Sequence, residues 1–186
     1  MNRVKFLASD FAKVERAELK QSTLFNIIRI ENISKSKLNQ LEDWQHYHDP
    51  NSVSVDRVRS SNRTIIREIR DDDNSTRTVN NNNNGTATYK LLLRDFHNNY
   101  TFAFEQEPLN FLRSNQNTST PLGIPLGGRL LVKQGATISR GAIFLELKNC
   151  EYQGIATPED DQLVSTLNDG LIQKEIDILK DELGLQ

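Results

Sequence analysis

Residues 121–155 constrain the fold most strongly, because glycine and proline divide this stretch into segments too short for helices. Residues 121–128 are rich in both, and residues 134–135 and 138–141 are interpreted as further breaks. Three apolar segments lie between and after these breaks and are predicted strands: residues 129–133, 142–147 and 150–155. Short strands at this spacing, separated by turn residues, are typical of a small all-β barrel.

The rest of the chain adds strands and helical segments. Apolar alternation and β-branched residues predict strands, and Thr157 and Pro158 are preferred residues for a helix N-cap and first turn. Gly170 interrupts the C-terminal apolar stripe, so a break or kink is expected at residues 168–170. The predicted strands are residues 23–33, 86–94 and 100–105, with a looser one at 4–8 before a helical turn; the predicted helices are 35–49 and 158–183.

These elements predict a mainly β fold: a small OB-fold-like five-stranded barrel with a C-terminal amphipathic helix. A long inserted loop, residues 44–85, separates the first two strands of the barrel. It contains an acidic run at residues 71–73 and an asparagine tract at 80–84. Such tracts bury too little apolar surface to offset their ordering entropy, and a structureless connection of this length is usually functional or disordered.

The connection also carries six arginines and six interleaved aliphatic residues. This combination favours a loop that folds on DNA or on an acidic partner surface, although solubility alone would also account for the arginines. The arginines are Arg57, Arg59, Arg63, Arg67, Arg70 and Arg77, and the aliphatic residues are Val53, Val55, Val58, Ile65, Ile66 and Ile69.

Composition narrows the class of protein. The 186 residues suit one domain, and a net charge of −2 argues against holding duplex DNA by bulk charge, while leaving a local basic patch open. The single cysteine, Cys150, cannot form an intramolecular disulfide, which fits the cytosol or nucleus. No segment approaches the roughly 20 apolar residues of a membrane span, and no secretory apolar core follows the first residues.

Catalytic and metal-binding patterns are weak. His46 and His48 stand two residues apart, which does not place them on one helix face, and residues 71–73 lack the alternation of a calcium loop. The sequence contains no Gly-x-Ser-x-Gly elbow, and Cys150 in a predicted strand is interpreted as buried packing. We therefore expect no enzymatic activity, no metal and no cofactor.

Four aromatic residues near the second and third predicted strands allow two interpretations. They are Phe96, Tyr100, Phe102 and Phe104. Strict alternation at residues 100–105 is what a barrel interior needs, so we assign these rings to the core. The alternative is a platform on which nucleic-acid bases stack, as in OB-folds that bind single strands.

Two blocks of sequence carry a family resemblance. Residues 33–38 (Ile-Ser-Lys-Ser-Lys-Leu), and residues 126–133 and 140–147 followed by Gln153-Gly154, resemble the N-terminal OB domain of the RecQ-mediated genome instability protein 1 family in its short fungal form. The resemblance covers residues 23–186. It implies an OB domain over residues 21–186, with residues 1–20 as a remnant of the helical region that usually precedes the family's barrel.

The resemblance also implies a function. It suggests a nuclear, non-catalytic subunit of a RecQ helicase–topoisomerase III complex that promotes decatenation and dissolution of recombination intermediates. The loop at 44–85 would act at the topoisomerase gate, and single-stranded or branched DNA is a further expected partner. The expected partner-binding residues are Lys35, Lys37, Arg57, Arg59, Arg63, Ile65, Ile66, Arg67, Ile69, Arg70 and Arg129. The alternative to a partner-binding role for Arg129 is a plain surface residue on the barrel rim. The alternative function for the whole chain is a single-stranded nucleic-acid-binding OB module.

Overall fold

The fold is a curled half-barrel built from one sheet. A computed structural model describes residues 4–51, 87–114 and 119–185. The sheet order is β1-β6-β7-β4-β3-β2-β5-β8, and all neighbours are antiparallel except the parallel pair of β4 and β7. The strands are β1 Ala17–Glu18, β2 Thr23–Asn32, β3 Tyr89–Arg94, β4 Tyr100–Glu105, β5 Arg129–Val132, β6 Thr137–Ser139, β7 Ala142–Leu145 and β8 Cys150–Gly154. The predicted mainly β, OB-fold-like architecture is confirmed.

The inward faces of the strands form one core. On β2 the register shifts between Ile27 and Arg29, so Phe25 and Ile27 point inward before this irregularity and Ile30 points inward after it. Because of that shift, the apolar residues of β2 do not alternate regularly. Every large aliphatic side chain that β3, β5 and β7 turn inward is fully buried: Leu91, Leu93, Leu130, Val132, Ile143 and Leu145.

The α-helices within the described ranges are α1 Lys37–His48, α2 Pro158–Asn168 and α3 Leu171–Leu183. The predicted C-terminal helix is thus two helices, separated at Gly170, whose φ of +60° is easily reached by glycine. α1 packs on α3, which buries Leu171, Ile176 and Leu179. Among the described residues, no helix is long and apolar enough to cross a membrane.

Gly127 allows α2 to lie close to the barrel. Its φ is +100°, and a Cβ at this position would stand 2.9 Å from backbone atoms of Val164 in α2. Only glycine combines that backbone conformation with such a close approach. The glycine-rich stretch before β5 is therefore a packing requirement as well as a turn.

The structure corrects two details at the start of the chain and around β6. The strand predicted at residues 4–8 is wrong: no pairing forms there, and a 3₁₀ turn occupies Ala8–Phe11. Part of the break predicted at 138–141 belongs to β6, which pairs with β1. Because Phe6 and Leu19 are also buried in the core, residues 4–20 pack with the barrel. The interpretation of residues 1–20 as a remnant of a helical region, and the division at residue 20, stay predictions.

The assignment of the β4 aromatic residues to the core is wrong. Tyr100 and Phe102 are 51% and 48% exposed, whereas Thr101 and Ala103 are buried; Phe96 and Phe104 are half-buried. A period of two separates the faces of a strand without saying which face points inward. β4 turns its small residues inward because it lies against β7, where Ala103 pairs with Ile143 and the Thr101 hydroxyl donates to the Gly141 carbonyl at 2.7 Å.

Candidate functional site

The connection between β2 and β3 begins with α1, which starts at a defined cap. The Ser36 hydroxyl accepts the backbone N–H of Asn39 at 3.2 Å, and Leu41 and Trp44 bury the inner face of the helix. Ser36 thereby fixes where the helix starts, and the apolar pair fixes which face it turns to the barrel. The chain leaves the described residues at Asn51 and re-enters them at Ala87.

Most of the expected partner-binding residues lie outside the described ranges, and their role stays a prediction. They are Arg57, Arg59, Arg63, Ile65, Ile66, Arg67, Ile69 and Arg70. Lys35, Lys37 and Arg129 lie within the described ranges. The structure engages each of them in an ion pair inside the chain.

A cluster of charges holds the departing end of the connection. Lys37, in the first turn of α1, pairs with Glu31 of β2 and lies 2.7 Å from Glu182 of α3. Arg29 of β2 pairs with Glu175 at 3.0 Å and with Glu182 at 3.4 Å. This departure cluster therefore joins β2, α1 and α3, and Glu182 accepts from cations on two of these elements.

Protonation equilibria reflect this pairing. Burial alone would lower the pKa of Arg29, but the hydrogen bonds and charge of Glu175 outweigh it, and the pKa is raised. Burial opposes a raised pKa at Lys37 in the same way, and Glu182 and Glu31 outweigh it. The hydrogen bond from Lys37 is the main reason that the pKa of Glu182 is lowered. Arg29, Lys37 and Glu182 thus stay charged near neutral pH.

A single buried carboxylate holds the returning end. Glu105 of β4 is 8% exposed and accepts the backbone N–H groups of Tyr89 at 3.0 Å and Leu109 at 2.6 Å. Arg113 pairs with the same carboxylate and also donates to the Ala87 carbonyl. The hydrogen bond to Glu105 is the main cause of the raised pKa of Arg113. The first described residues after the connection are therefore tied to β4.

A cleft of about 210 Å³ lies between the two ends of the connection. Trp44 of α1 and Tyr89 of β3 both line it. Lys35, which also lines it, pairs with Asp43 at 2.5 Å, and the Lys35 carbonyl accepts from the Gln40 side chain at 3.0 Å. Its lining combines apolar and polar groups: Ile30, Glu31, Asn32, Lys35, Gln40, Asp43, Trp44, Ala87, Tyr89, Pro121, Leu122 and Glu175.

Arg129 lies on the side of the barrel that meets α2. Its Nε is 2.6 Å from Asp160 Oδ2, its Nη2 donates to the Thr157 hydroxyl at 3.0 Å, and its guanidinium covers the Phe96 ring at 5.3 Å. The side chain is 13% exposed. Arg129 therefore fastens α2 to β5, and contact with a partner stays a prediction.

In the described ranges, no group of three or more His, Cys, Asp or Glu side chains is arranged to hold a metal ion. Cys150 is buried, as predicted, and desolvation raises its pKa to about 11. The arrangement is suited to holding a long connection on a barrel surface.

Sequence reasoning missed Glu105, Arg113, Glu175 and Glu182 as anchors of the connection. Their side-chain partners lie 8 to 153 residues away along the chain, so local patterns do not pair them. A weak signal was present at Arg29 and Glu31, the two charged residues of β2. Charges at half-buried strand positions require partners, because an unpaired buried charge is costly.

The comparisons with known proteins agree with this fold. The family described as "RMI1, N-terminal OB-fold domain" matches residues 7–163. The chain is similar to the RecQ-mediated genome instability protein 1 of Saccharomyces cerevisiae, with 28% identity over 142 residues. That match covers 66% of this chain and 55% of the yeast protein, so it spans about half the length of that relative. Since the family match extends over most of the barrel and into α2, the chain belongs to the RMI1 N-terminal OB-fold domain family.

Proposed function

We propose that the chain acts in genome maintenance as a non-catalytic subunit of a RecQ helicase–topoisomerase III complex in the nucleus. In that complex it promotes decatenation and the dissolution of recombination intermediates during homologous recombination, DNA repair and replication. The connection over residues 44–85 acts at the topoisomerase gate. Family membership and the name of the yeast relative support the RecQ part of this proposal.

The observation that carries the proposal is the way both ends of the connection are held. The departure cluster fixes α1 on α3, and Glu105 with Arg113 fixes the start of β3. Fixed ends let a long segment reach a partner from a defined origin, which lowers the entropy lost on binding. The arginines and isoleucines of residues 57–70 supply charged and apolar groups for such a contact.

Shortening the connection tests the proposal. Residues 54–84 are replaced by a Gly/Ser linker of about ten residues, which keeps α1 and Ala87 in place. We expect the shortened protein to unfold at the same temperature as wild type, because the core formed by the described residues lies outside this segment. We also expect it to lose stimulation of topoisomerase III in decatenation of interlinked DNA circles.

Two variants of full length separate charge from apolar contact. One replaces the five arginines Arg57, Arg59, Arg63, Arg67 and Arg70 by Gln, and the other replaces Ile65, Ile66 and Ile69 by Ser. The first should make stimulation less sensitive to salt, and the second should reduce it at all salt concentrations. Normal stimulation by the shortened protein would show that the connection is not the active part.

A further inference from the structure

The outer face of the hairpin formed by β3 and β4 carries neighbouring exposed aromatic side chains. Tyr100 and Phe102 are about half exposed, and Phe102 is the antiparallel partner of Leu92. Side chains on one face of a strand are about 7 Å apart, so the two rings occupy successive outward positions along β4. Together with Leu92 and Phe104 they line a hollow of about 360 Å³. The hairpin therefore offers a concave apolar surface.

A second hollow continues this surface along β3. It has a volume of about 220 Å³, shares Leu92 and Phe102 with the first hollow and extends to Lys90. The Lys90 ammonium lies 4.1 Å from the centre of the Phe102 ring and covers one face of it, and Phe104 stacks on Phe144 of β7. Because these ring faces are already in contact with other groups, the surface suits aliphatic or aromatic side chains that fill apolar volume.

Cations stand at both ends of the two hollows. Lys90 is at one end, while Arg94, the antiparallel partner of Tyr100, and Arg140, which lines the first hollow, are at the other. Within the described ranges, none of these three cations has a carboxylate within 4.0 Å, and the buried Nε of Arg94 has no hydrogen-bond partner. We name the following residues the hairpin strip: Lys90, Leu92, Arg94, Tyr100, Phe102 and Arg140.

The backbone conformation of Arg140 is unusual for a residue with a long side chain. Arg140 and Gly141 connect β6 to β7 with φ values of +48° and +86°, where glycine, asparagine and aspartate are preferred. The Arg140 backbone N–H donates to the Val14 carbonyl at 2.8 Å, and the residue is exposed. Strained positions of this kind concentrate at binding sites, so the turn indicates a role for the Arg140 side chain in contact with another molecule.

The carboxylates beside the second hollow are already paired. Glu31 and Glu182 line it, but Lys37 pairs with both of them and Arg29 also pairs with Glu182. The departure cluster thereby compensates their charge, and no carboxylate of the described residues lines the first hollow. The hairpin strip is therefore locally positive on a chain whose net charge is −2.

We propose that the hairpin strip docks an acidic amphipathic helix of a partner protein. Two apolar side chains of that helix occupy the two hollows, and its carboxylates pair with Lys90, Arg94 and Arg140. A helix that lays its apolar face in a hydrophobic groove is a recurrent mode of peptide recognition, and complementary charge selects among such helices. This surface is separate from the connection, so the inference goes beyond the proposed function and does not depend on it.

The spacing of the hairpin strip matches that of a helix. Side chains at positions i and i+4 of a helix are about 6 Å apart, close to the separation of about 7 Å between outward side chains on β4. Lys90 and Arg94 are four strand residues apart, or about 13 Å, which corresponds to about nine residues of helix. The partner helix should therefore carry a pair of apolar anchors at its centre and acidic residues on both sides of them.

Fluorescence anisotropy of a labelled peptide titrated with the whole chain tests this proposal. The acidic peptide has about 16 residues, with Leu and Phe at positions i and i+4 near its centre and a pair of Glu towards each end. The matched basic peptide carries Lys in place of every Glu. We expect the acidic peptide to bind with a Kd of about 10–100 μM, as for a small transient interface, and to bind more weakly as salt increases. The basic peptide should not bind.

Variants of the hairpin strip separate its apolar contacts from its charges. Phe102→Ala removes an anchor contact and should weaken binding of the acidic peptide about tenfold, whereas Phe102→Leu keeps apolar volume and should stay within about threefold of wild type. The double variant Lys90→Glu, Arg140→Glu should lose the acidic peptide and gain the basic one. Tyr47→Ala, at an exposed tyrosine of α1, is the control and should bind like wild type. Circular dichroism checks that every variant is folded.

Several results would overturn the proposal. One is no binding of the acidic peptide by about 1 mM wild-type chain; others are equal binding of both peptides by wild type, or wild-type affinity in Phe102→Ala. Binding of an oligodeoxythymidine but of neither peptide would replace the helix by a nucleic acid. Dimerisation in ultracentrifugation that Phe102→Ala removes would replace it by a second copy of the chain. None of these measurements involves topoisomerase III, so failure here is distinct from failure of the proposed function.

Discussion

The pair of Arg129 and Asp160 gives the sharpest test of how α2 is held on the barrel. Asp160 is the third residue of α2 and forms a capping box with Thr157. Its carboxylate accepts the Thr157 backbone N–H at 2.9 Å and the Asn26 side-chain amide at 3.2 Å, in addition to the ion pair with Arg129. One carboxylate therefore joins α2 to both β2 and β5.

Asp160→Asn removes the charge and keeps the shape. It leaves the guanidinium of Arg129, which is 13% exposed, without its counter-charge. Removing one partner of a buried ion pair typically costs about 3–5 kcal/mol. We expect the lower end, about 3 kcal/mol, because the Asn amide oxygen still accepts the hydrogen bonds of the helix N-terminus and Arg129 retains its hydrogen bond to Thr157.

The loss of stability caused by Asp160→Asn should become smaller at low pH. Desolvation alone would raise the pKa of Asp160, but hydrogen bonds from Arg129, Thr157 and Asn26 outweigh it, and the pKa is lowered from 3.8. A carboxylate with a lowered folded-state pKa stabilises the protein fully above its unfolded value and progressively less below it. The difference between wild type and Asp160→Asn should therefore be constant from about pH 5 to pH 8 and shrink as the pH falls below about 4.

Urea unfolding followed by circular dichroism measures this difference. Trp44 is the single tryptophan and is buried in α1, so its fluorescence follows a different helix, and coincident transitions would establish two-state unfolding. If Asp160→Asn lowers the free energy of unfolding by less than about 0.5 kcal/mol, the role of this pair is refuted. A difference in stability between wild type and Asp160→Asn that persists unchanged at about pH 3 would refute it as well. Arg129→Glu would place a second negative charge beside Asp160, so it would disturb folding before it tested docking to a partner.

Two further predictions concern Glu105 and Cys150. Glu105→Gln should lower the free energy of unfolding in urea by about 3 kcal/mol, because it leaves the half-buried Arg113 without a counter-charge. Glu107→Gln, at an exposed neighbouring residue, is the control. An equal loss of stability in both variants would contradict the role of Glu105 as an anchor. The Cys150 thiol should react with Ellman's reagent only on unfolding, since it is 8% exposed and its pKa is about 11; rapid reaction of the folded protein would show that the site opens.

The sequence predicts well those elements that local physics decides. The boundaries of β2, β4 and α1 follow from apolar periodicity, and α2 begins where Thr157 and Pro158 place it. These signals act within one or two turns of the chain, so neighbouring residues are enough to locate each element. β6 was missed because three residues between two turn signals show too little periodicity to be separated from a break.

Properties that depend on distant parts of the chain could not be predicted. Thr101 and Ala103 point inward on β4 because of the parallel pairing with β7, which follows about 40 residues later. Arg29 and Glu175 are 146 residues apart, and Asn26 and Asp160 are 134 apart. A sequence shows that such charged and polar groups exist, whereas the fold decides which of them meet. The β4 rings were predicted in the core and lie on the surface because the pairing of β4 with β7 could not be predicted either.

The two ends of the connection are held by interactions of different strength. Glu182 and Lys37 in the departure cluster are both about one-third exposed, so salt and side-chain entropy leave each such pair little net stability. Glu105 is buried and accepts from backbone N–H groups and from Arg113, an arrangement that water and salt weaken much less. The exposed ion pair of Lys37 at the start of α1 should therefore be more sensitive to salt than the anchors that hold β3 on β4.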